Sequence, residues 1–388
     1  MWTGASGSSD MYPMVALIGA LFVCVGAKAT PPGGRPAQHL GVASCAGSNC
    51  HGSTTAQSGQ GVLHHNEYLT WQRDDPHSRA YHSLLTARSL AIARHLGIVD
   101  PSKSTRCVDC HTDDVPVEQR GIKFSISDGV GCEVCHGGAE RWITDHALTK
   151  RSHATNLKEG MYATEDPVQR ANLCLGCHYG SADKVMTHAV MAAGHPPLLF
   201  ELTTFTAIEP AHYRVTADYL KRKHYVGPAD TWAIGQSVAV SRLLDRFASD
   251  AGATPDFYPY NCYSCHQPIQ PDSDYAAAGD DNPTRLPIAM SHMRMVTAIL
   301  NATNPGLAQR WSMALADLHA AMGTSGRTAA INRLRPLAAE ITAYLQKRHL
   351  DASARRAIAL QLARIGNRAT FGERSLADQT VMAMTALD

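Results

Sequence analysis

The feature that most constrains this chain is a set of cysteine pairs, each followed immediately by histidine. Four pairs have two residues between the cysteines, and the pair nearest the N-terminus has four. The pairs with their histidines are Cys45/Cys50/His51, Cys107/Cys110/His111, Cys132/Cys135/His136, Cys174/Cys177/His178 and Cys262/Cys265/His266. The C-x-x-C-H spacing lets two thiols bond the vinyl groups of one haem while the histidine ligates its iron. The sequence therefore predicts five covalently bound c-type haems, the first of them with an intervening loop that bulges outward between its two cysteines.

Three other uses of cysteine fit this pattern less well. Disulfide-bonded cysteines do not need a histidine after every pair. Structural zinc takes four ligands and would combine such pairs two at a time, whereas the chain has an odd number of pairs. A redox-active C-x-x-C is expected once in a chain. The pattern therefore favours haem attachment.

The N-terminus has the features of a signal peptide. Residues 14–27 are an apolar run that leads into Ala27-Lys28-Ala29, which matches the small-residue pattern of a cleavage site. The run is too short to span a bilayer comfortably, and it contains Cys24, the one cysteine outside the pairs. We therefore predict a signal peptide over residues 1–29 and a periplasmic or otherwise extracytoplasmic mature protein without a membrane span.

The charge balance argues against a nucleic-acid-binding protein. The chain has 35 Lys and Arg against 34 Asp and Glu, and its formal net charge is +1. Domains that bind nucleic acid usually carry a clear excess of basic residues. The sequence also lacks G-x-S-x-G, H-E-x-x-H and a phosphate-binding glycine loop, so motifs predict no catalytic residue.

Helical periodicity predicts a mainly α protein, with a loop-rich multihaem core and a helical C-terminal region. Helices are expected over residues 78–95 and 230–249, where few helix-breaking residues occur. In the C-terminal third, apolar residues recur every three or four positions over 307–322, 331–345 and 358–365. Such stripes are typical of the buried faces of a helix bundle.

These patterns also predict how the chain is divided. A pentahaem cytochrome domain is expected over residues 30–270, and a helical region over residues 285–388 is expected to pack on it. The polar, glycine-rich stretch 271–284 is predicted to be a long loop between them. Pro336 is expected to begin or kink the second of the C-terminal helices.

Segments around the second and third attachment sites resemble a known family. Trp71-Gln-Arg-Asp-Asp-Pro-His77 precedes the second site, Gly129-Val-Gly-Cys132 opens the third, and Thr144-Asp145-His146 follows it. In their order and composition, residues 41–200 resemble multihaem cytochromes of the c-554 type, related to hydroxylamine-oxidising and octahaem reductase cytochromes. The resemblance implies a compact, mostly helical protein with closely packed haems.

The resemblance also implies the second axial ligands of two irons. It pairs His77 with His136, at the third site, and it pairs His146 with His178, at the fourth. An iron with two protein ligands is closed to substrate, whereas an iron with one can bind a small molecule. The distal ligands therefore separate an electron carrier from an enzyme.

For the remaining irons the ligands are open. The resemblance takes the distal ligand of the first iron from a segment beyond the fourth site, where His195 is favoured over His188. The fifth iron has His188 and His292 among its candidates. In the related cytochromes the second haem lacks a distal protein ligand, which would leave the haem at His111 five-coordinate.

Three functional hypotheses follow. The leading one is a periplasmic electron-transfer protein that exchanges electrons with redox partner proteins. The alternative is an oxidoreductase that acts on a small nitrogen or sulfur compound at a five-coordinate second haem, assisted by the polar side chains of Lys103, Arg106, Asp113 and Asp114. A third makes the chain a subunit of a respiratory complex that binds a partner through its C-terminal helices.

Overall fold

The computed structural model describes residues 35–388 except 58–60, 149, 182–183, 185, 224, 250–255, 257–259, 261–265, 267–287, 289, 323 and 369–373. Over these residues the chain forms sixteen α-helices, a few short 3-10 helices and isolated β-bridges. The helices are α1 Glu67–Asp74, α2 Ala80–Ser83, α3 Ala87–His95, α4 Thr105–His111, α5 Cys132–His136, α6 His153–Lys158, α7 Pro167–His178, α8 His188–Ala192, α9 Leu202–Ile208, α10 Ala217–Arg222, α11 Pro228–Ser249, α12 Ser291–Thr303, α13 Pro305–Ala321, α14 Arg327–Gln346, α15 Ala352–Arg368 and α16 Arg374–Leu387. The predicted mainly α fold is confirmed.

Three attachment motifs lie at the C-terminal ends of helices. Helices α4, α5 and α7 each end at the histidine of their motif. The longest of them, α7, is capped by Asp166, whose carboxylate accepts hydrogen bonds from the backbone N–H groups of Val168 and Gln169, and Pro167 occupies the first turn. A capping acid and a proline at this position both favour helix initiation. The sequence therefore fixes where α7 begins.

The C-terminal helices form a bundle with one continuous apolar core. Helix α11 packs against α12 and α14, α13 packs against α14, and α12 packs against α15 and α16. Trp232 of α11 and Trp311 of α13 are fully buried in this core. The predicted stripe over 307–322 lies on α13 and the residue after it, and its apolar members are buried. The stripes over 331–345 and 358–365 lie on α14 and α15, so the bundle prediction is confirmed.

The helix predicted over 230–249 is confirmed as α11, and the helix predicted over 78–95 is wrong as a continuous element. The chain there forms a 3-10 turn, then α2, then α3, with a break at Leu84–Thr86. Thr86 caps α3, because its hydroxyl accepts a hydrogen bond from Ser89 N at 3.3 Å. Pro336 lies inside α14, several residues after its start.

The bundle core extends into the haem-motif region. Ala171 and Leu175 of α7 are fully buried in it, and α7 packs directly on α11. Helix α9 packs on α11 and α16. Among the described residues, no helix has both the length and the apolar composition required to cross a bilayer. The predicted signal peptide, Cys24, Cys262, Cys265 and the loop predicted over 271–284 lie outside the described residues.

Candidate functional site

Histidine rings face one another in pairs, and each pair joins an attachment-motif histidine to a histidine from elsewhere. The four pairs, with the distances between ring centroids, are His51–His146 at 6.2 Å, His77–His178 at 6.0 Å, His111–His195 at 6.4 Å and His188–His266 at 6.0 Å. Among the histidines that the structure describes, each attachment histidine except His136 therefore has a facing imidazole. His51 has a second neighbour, His65, at 6.4 Å.

The separation of these rings fits two axial ligands on opposite sides of one metal ion. A metal–imidazole bond is about 2 Å long, and the ring centre lies about 1 Å beyond the nitrogen, so two ligands on one ion have centroids about 6 Å apart. The observed range of 6.0 to 6.4 Å matches this value. The side chains therefore fit bis-histidine haem iron, which is how a haem would be held here.

Hydrogen bonds fix the rings through the nitrogen that a metal would not use. His77 Nδ1 bonds the carboxylate of Asp75 at 2.9 Å, and His51 Nδ1 bonds the carboxylate of Glu67 at 3.0 Å. Backbone carbonyl oxygens serve the others, with Ala80 accepting from His111 at 3.1 Å, Ile143 from His146 at 2.6 Å and Pro196 from His195 at 2.7 Å. A metal-binding histidine usually donates its second ring N–H in this way. Each ring is therefore left with Nε2 as its metal-binding atom.

The electrostatics of two attachment histidines suit ligation. Burial lowers the pKa of His136 to about 4, with the charges of nearby histidines acting in the same direction. Burial, and then the charge of His77, lowers the pKa of His178 to about 4. Only a neutral imidazole can bind a metal, so both rings are in the ligand form at neutral pH.

One segment in the N-terminal half of the chain matches a known protein family. Residues 46–137 match the family model for cytochrome c554 and c-prime. This match indicates haem-based electron transfer, and it confirms the resemblance to c-554-type multihaem cytochromes over these residues. No curated protein and no solved structure matches the chain.

The c554-type segment contains the second and third attachment sites together with His77. The structure pairs its histidines differently from the sequence-based transfer. His77 faces His178 instead of His136, because the 3-10 turn after α1 directs His77 towards the end of α7. Because His77 faces His178, the other histidines also have partners that differ from those expected.

Two further pairings differ from the transfer. His146 faces His51 instead of His178, and its ring also contacts Trp142. His195, expected at the first iron, instead faces His111 at the second. The break between α2 and α3 explains the environment of the second site, since Ala80 and Ser83 on α2 provide the hydrogen-bond acceptors for His111. A continuous helix over 78–95 would not present both groups in this way.

The third site has a nearby histidine that the sequence reasoning missed. His212 is the charged group with the largest effect on His136, and its Nδ1 donates to the Pro210 carbonyl oxygen at 2.6 Å. This hydrogen bond is the same feature that holds His146 and His195. The signal in the sequence is weak, because a histidine two residues after a proline occurs in many loops.

Thiols from different attachment sites also contact one another. Cys45 of the first site is a neighbour of Cys132 of the third, and Cys110 of the second is a neighbour of Cys177 of the fourth, and each cysteine affects the pKa of its neighbour. If each thiol holds a haem, the first and third haems would be neighbours, and so would the second and fourth.

Cys50 departs from the setting expected of an attachment cysteine. It is exposed, whereas the other seven attachment cysteines that the structure describes are half-buried. A cysteine bonded to a large apolar macrocycle is expected to lie against the protein interior. The longer gap explains the difference, because residues 47–49 are exposed and a turn, in which Cys50 N donates to the Gly47 carbonyl at 2.8 Å, places Cys50 outside with them.

The structure therefore corrects the expectation for the first site. Only the residues between the two cysteines were expected to bulge outward, but the bulge also includes Cys50 itself. The backbone at this position is fixed from the other side, since the Cys50 carbonyl accepts a hydrogen bond from His65 Nδ1 at 2.8 Å. Cys45 is the half-buried thiol of this site, and attachment through Cys50 stays a prediction.

The polar residues proposed to assist catalysis near the second site have other partners. Lys103 forms an ion pair with Asp100 at 2.9 Å, and its side chain is 83% exposed. Asp113 bonds His39 Nδ1 at 2.7 Å, and Asp114 contacts Arg120 at 3.3 Å. Lys103 lies on the solvated surface and Asp113 is buried against His39, but all three side chains already have partners, so these contacts give the enzyme hypothesis no support.

The candidates for the fifth iron occupy different environments. His188, at the start of α8, faces His266, and its backbone N–H donates to Asp256 at 2.9 Å. His292 is buried in the bundle, where its Nδ1 bonds the side-chain oxygen of Gln236 at 2.7 Å. Of these two histidines, His188 is therefore the one positioned near the fifth motif.

Proposed function

We propose that this protein is a periplasmic electron carrier with five covalently bound c-type haems, most of them held by two histidines. The observation that carries the proposal is the set of four imidazole pairs spaced for a shared metal ion, each containing the histidine of a different attachment motif. Haem provides the one-electron Fe(III)/Fe(II) couple, and the protein positions the haems and sets their reduction potentials.

The axial ligands follow from the pairs. We assign His146 to the first iron, His195 to the second, His77 to the fourth and His188 to the fifth. His212 is assigned to the third iron because its charge lowers the pKa of His136 and because its Nδ1 donates to a backbone carbonyl, as in His146 and His195. With these ligands each iron would be held by two histidines, which would leave no position for substrate and favours the carrier over the oxidoreductase.

In this proposal the two regions of the chain have different roles. Residues 30–270 provide the haem attachment sites, while residues 285–388 complete the bundle on which α7 rests. Export through the signal peptide at residues 1–29 would place the protein where haem attachment and exchange with redox partner proteins occur. Docking in a respiratory complex remains compatible with this role, since a carrier must contact both an electron donor and an acceptor.

Counting haems and their spin states tests the proposal. The full chain should be produced with c-type haem maturation, and covalent haem should be measured after acid–acetone extraction, which removes only non-covalent haem. Five covalent haems with low-spin electron paramagnetic resonance signals and no high-spin signal are expected. Fewer than five would contradict the attachment assignment, while a high-spin signal that shifts with nitric oxide or hydroxylamine would favour the oxidoreductase.

The first site needs a separate measurement, because Cys50 is exposed. Mass spectrometry of the haem peptide that contains residues 45–51 should find thioether bonds at both Cys45 and Cys50. A haem bonded to Cys45 with a free thiol at Cys50 would remove Cys50 from the attachment residues. The count of five haems would then stand with one of them held by a single thioether.

A further inference from the structure

The two contacts between thiols of different sites lie in opposite electrostatic environments. A lysine contacts the sulfur pair formed by Cys110 and Cys177, which belong to the second and fourth sites. A buried glutamate lies next to the pair formed by Cys45 and Cys132, which belong to the first and third sites. Since each pair marks where two haems would meet, each charge acts on two neighbouring irons.

The lysine is Lys184, which a turn brings back to the end of α7. Gly180 follows this helix with φ +90°, a conformation that glycine adopts readily. Ser181 then closes the turn, because its backbone N–H donates to the Lys184 carbonyl at 3.0 Å and its hydroxyl accepts from Lys184 N at 3.1 Å. The Lys184 ammonium lies 3.3 Å from Cys177 Sγ, and its side chain is partly buried.

The glutamate is Glu133, the residue that directly follows the first cysteine of the third motif. Its side chain is almost fully buried and accepts three backbone hydrogen bonds, from Leu40 at 2.8 Å, Gly41 at 2.7 Å and Ala139 at 2.7 Å. Three N–H donors converging on one carboxyl group provide the hydrogen-bond partners of a carboxylate. A negative charge is therefore fixed beside the attachment point of the third haem.

Other charged groups near the two cysteine pairs reduce the electrostatic difference between them without removing it. Asp109 lies near Cys110 but affects it less than Lys184 does. His39 lies near Glu133, but it is already bonded to Asp113 at 2.7 Å. The propionates of the haems are common to both pairs. The surroundings of the second and fourth sites are therefore more positive than those of the first and third sites.

We infer that the charges of Lys184 and Glu133 set the order of the haem reduction potentials. The second and fourth haems would then have higher reduction potentials than the first and third. Reduction of Fe(III) to Fe(II) adds one electron, which a nearby positive charge favours and a nearby negative charge opposes. Each transfer moves one electron from one iron to the next, with no bond formed or broken. Electrons supplied by a reduced partner protein would collect on the second and fourth haems before they pass to an oxidised partner. The inference rests on the proposed function.

The test removes each charge and measures the midpoint potentials of the holoprotein by a redox titration followed by electron paramagnetic resonance. Lys184→Gln should lower the potentials of the haems that are reduced first. At an effective dielectric constant of about 20, a charge roughly 10 Å away changes a one-electron equilibrium about tenfold, which corresponds to a shift of about 59 mV. Lys184→Arg keeps the charge and should retain the wild-type potentials. Lys103→Gln removes an exposed lysine near the second motif and should have a much smaller effect.

Glu133→Gln should have the opposite effect and raise the potentials of the haems that are reduced last. If this variant fails to fold, the three lysine variants decide the question. The inference is overturned if Lys184→Gln shifts the midpoint potentials no more than Lys103→Gln does. It is also overturned if Lys184→Gln lowers the potentials of the haems that are reduced last instead of those that are reduced first. Covalent haem is counted on the same samples. Five haems with unshifted potentials would overturn this inference alone, whereas fewer than five in the wild type would overturn the proposed function as well.

Discussion

Acidification should destabilise this protein through one buried histidine in the C-terminal bundle. His292 is 6% exposed, and burial lowers its pKa to about 4. Its Nδ1 donates to Gln236, whose amide group donates to Gln379 at 2.8 Å, and Gln379 in turn donates to the Phe200 carbonyl at 2.9 Å. This chain of hydrogen bonds holds the neutral imidazole and joins α12 to α11, α16 and the segment before α9.

The size of the effect follows from the difference between the folded and unfolded pKa values. In the unfolded chain the pKa of a histidine is about 6.5. Between about pH 6.5 and pH 4 the unfolded state therefore binds more protons, so stability falls as the pH falls. At 1.36 kcal/mol for each pKa unit, the loss between pH 7 and pH 5 is about 2 kcal/mol, and it levels off below pH 4 at about 3 kcal/mol.

The assay compares urea unfolding of the holoprotein at pH 7 and pH 5 for the wild type and His292→Asn. Asparagine keeps a donor near the position of Nδ1 but does not titrate. Its smaller side chain should lower stability at both pH values, yet the variant should lose about 2 kcal/mol less than the wild type on acidification. Equal losses in the two proteins would refute the reasoning, because the other histidines are common to both. Gln236→Leu serves as a control for the hydrogen bond and should cost about 1–3 kcal/mol at pH 7.

Three further predictions concern two histidine ligands of the haem irons and one cysteine that attaches a haem. His77→Ala should convert one low-spin haem to high-spin without loss of covalent haem, and carbon monoxide should then bind the iron at His178; an unchanged spectrum would contradict this pairing. His212→Ala should do the same at the third haem, and if it leaves all signals low-spin, His136 has another partner. Cys110→Ala should weaken attachment at the second site and destabilise the fold, as shown by mass spectrometry and thermal unfolding; five fully attached haems would contradict the motif assignment.

Local sequence patterns predicted the elements that depend on neighbouring residues. The attachment motifs are local because both thiols and the proximal histidine must reach one haem, and three of them end helices as compact units. The C-terminal stripes were equally readable, because a helix that packs in a core repeats its apolar residues every three or four positions. The continuous helix over 78–95 was wrong, because α2 ends at Ser83, whose hydroxyl bonds His111 of the second site, and Thr86 caps a new helix.

Which histidines face each other could not be predicted from local sequence patterns. His77 and His178 are about a hundred positions apart, and their meeting depends on how the turn after α1 and the end of α7 are placed in space. Nothing in the surrounding residues distinguishes His212 from an ordinary loop histidine. What identifies it is an environment, a carbonyl that accepts from Nδ1 and a nearby attachment histidine, and this environment exists only in the folded chain.

The bundle explains how a chain with so many short helices can hold redox centres at fixed distances. Electron transfer requires haems whose spacing does not change, but α4 and α5 are too short to be stable alone. Helix α7 differs, because Leu175, between the cysteines of the fourth motif, is buried in the bundle core. The fourth site is therefore anchored to the bundle through Leu175, and Cys110 of the second site lies near Cys177 of this anchored motif. One of the two sites that we infer to have the higher reduction potentials is thus built on a helix whose apolar face is buried in the bundle core.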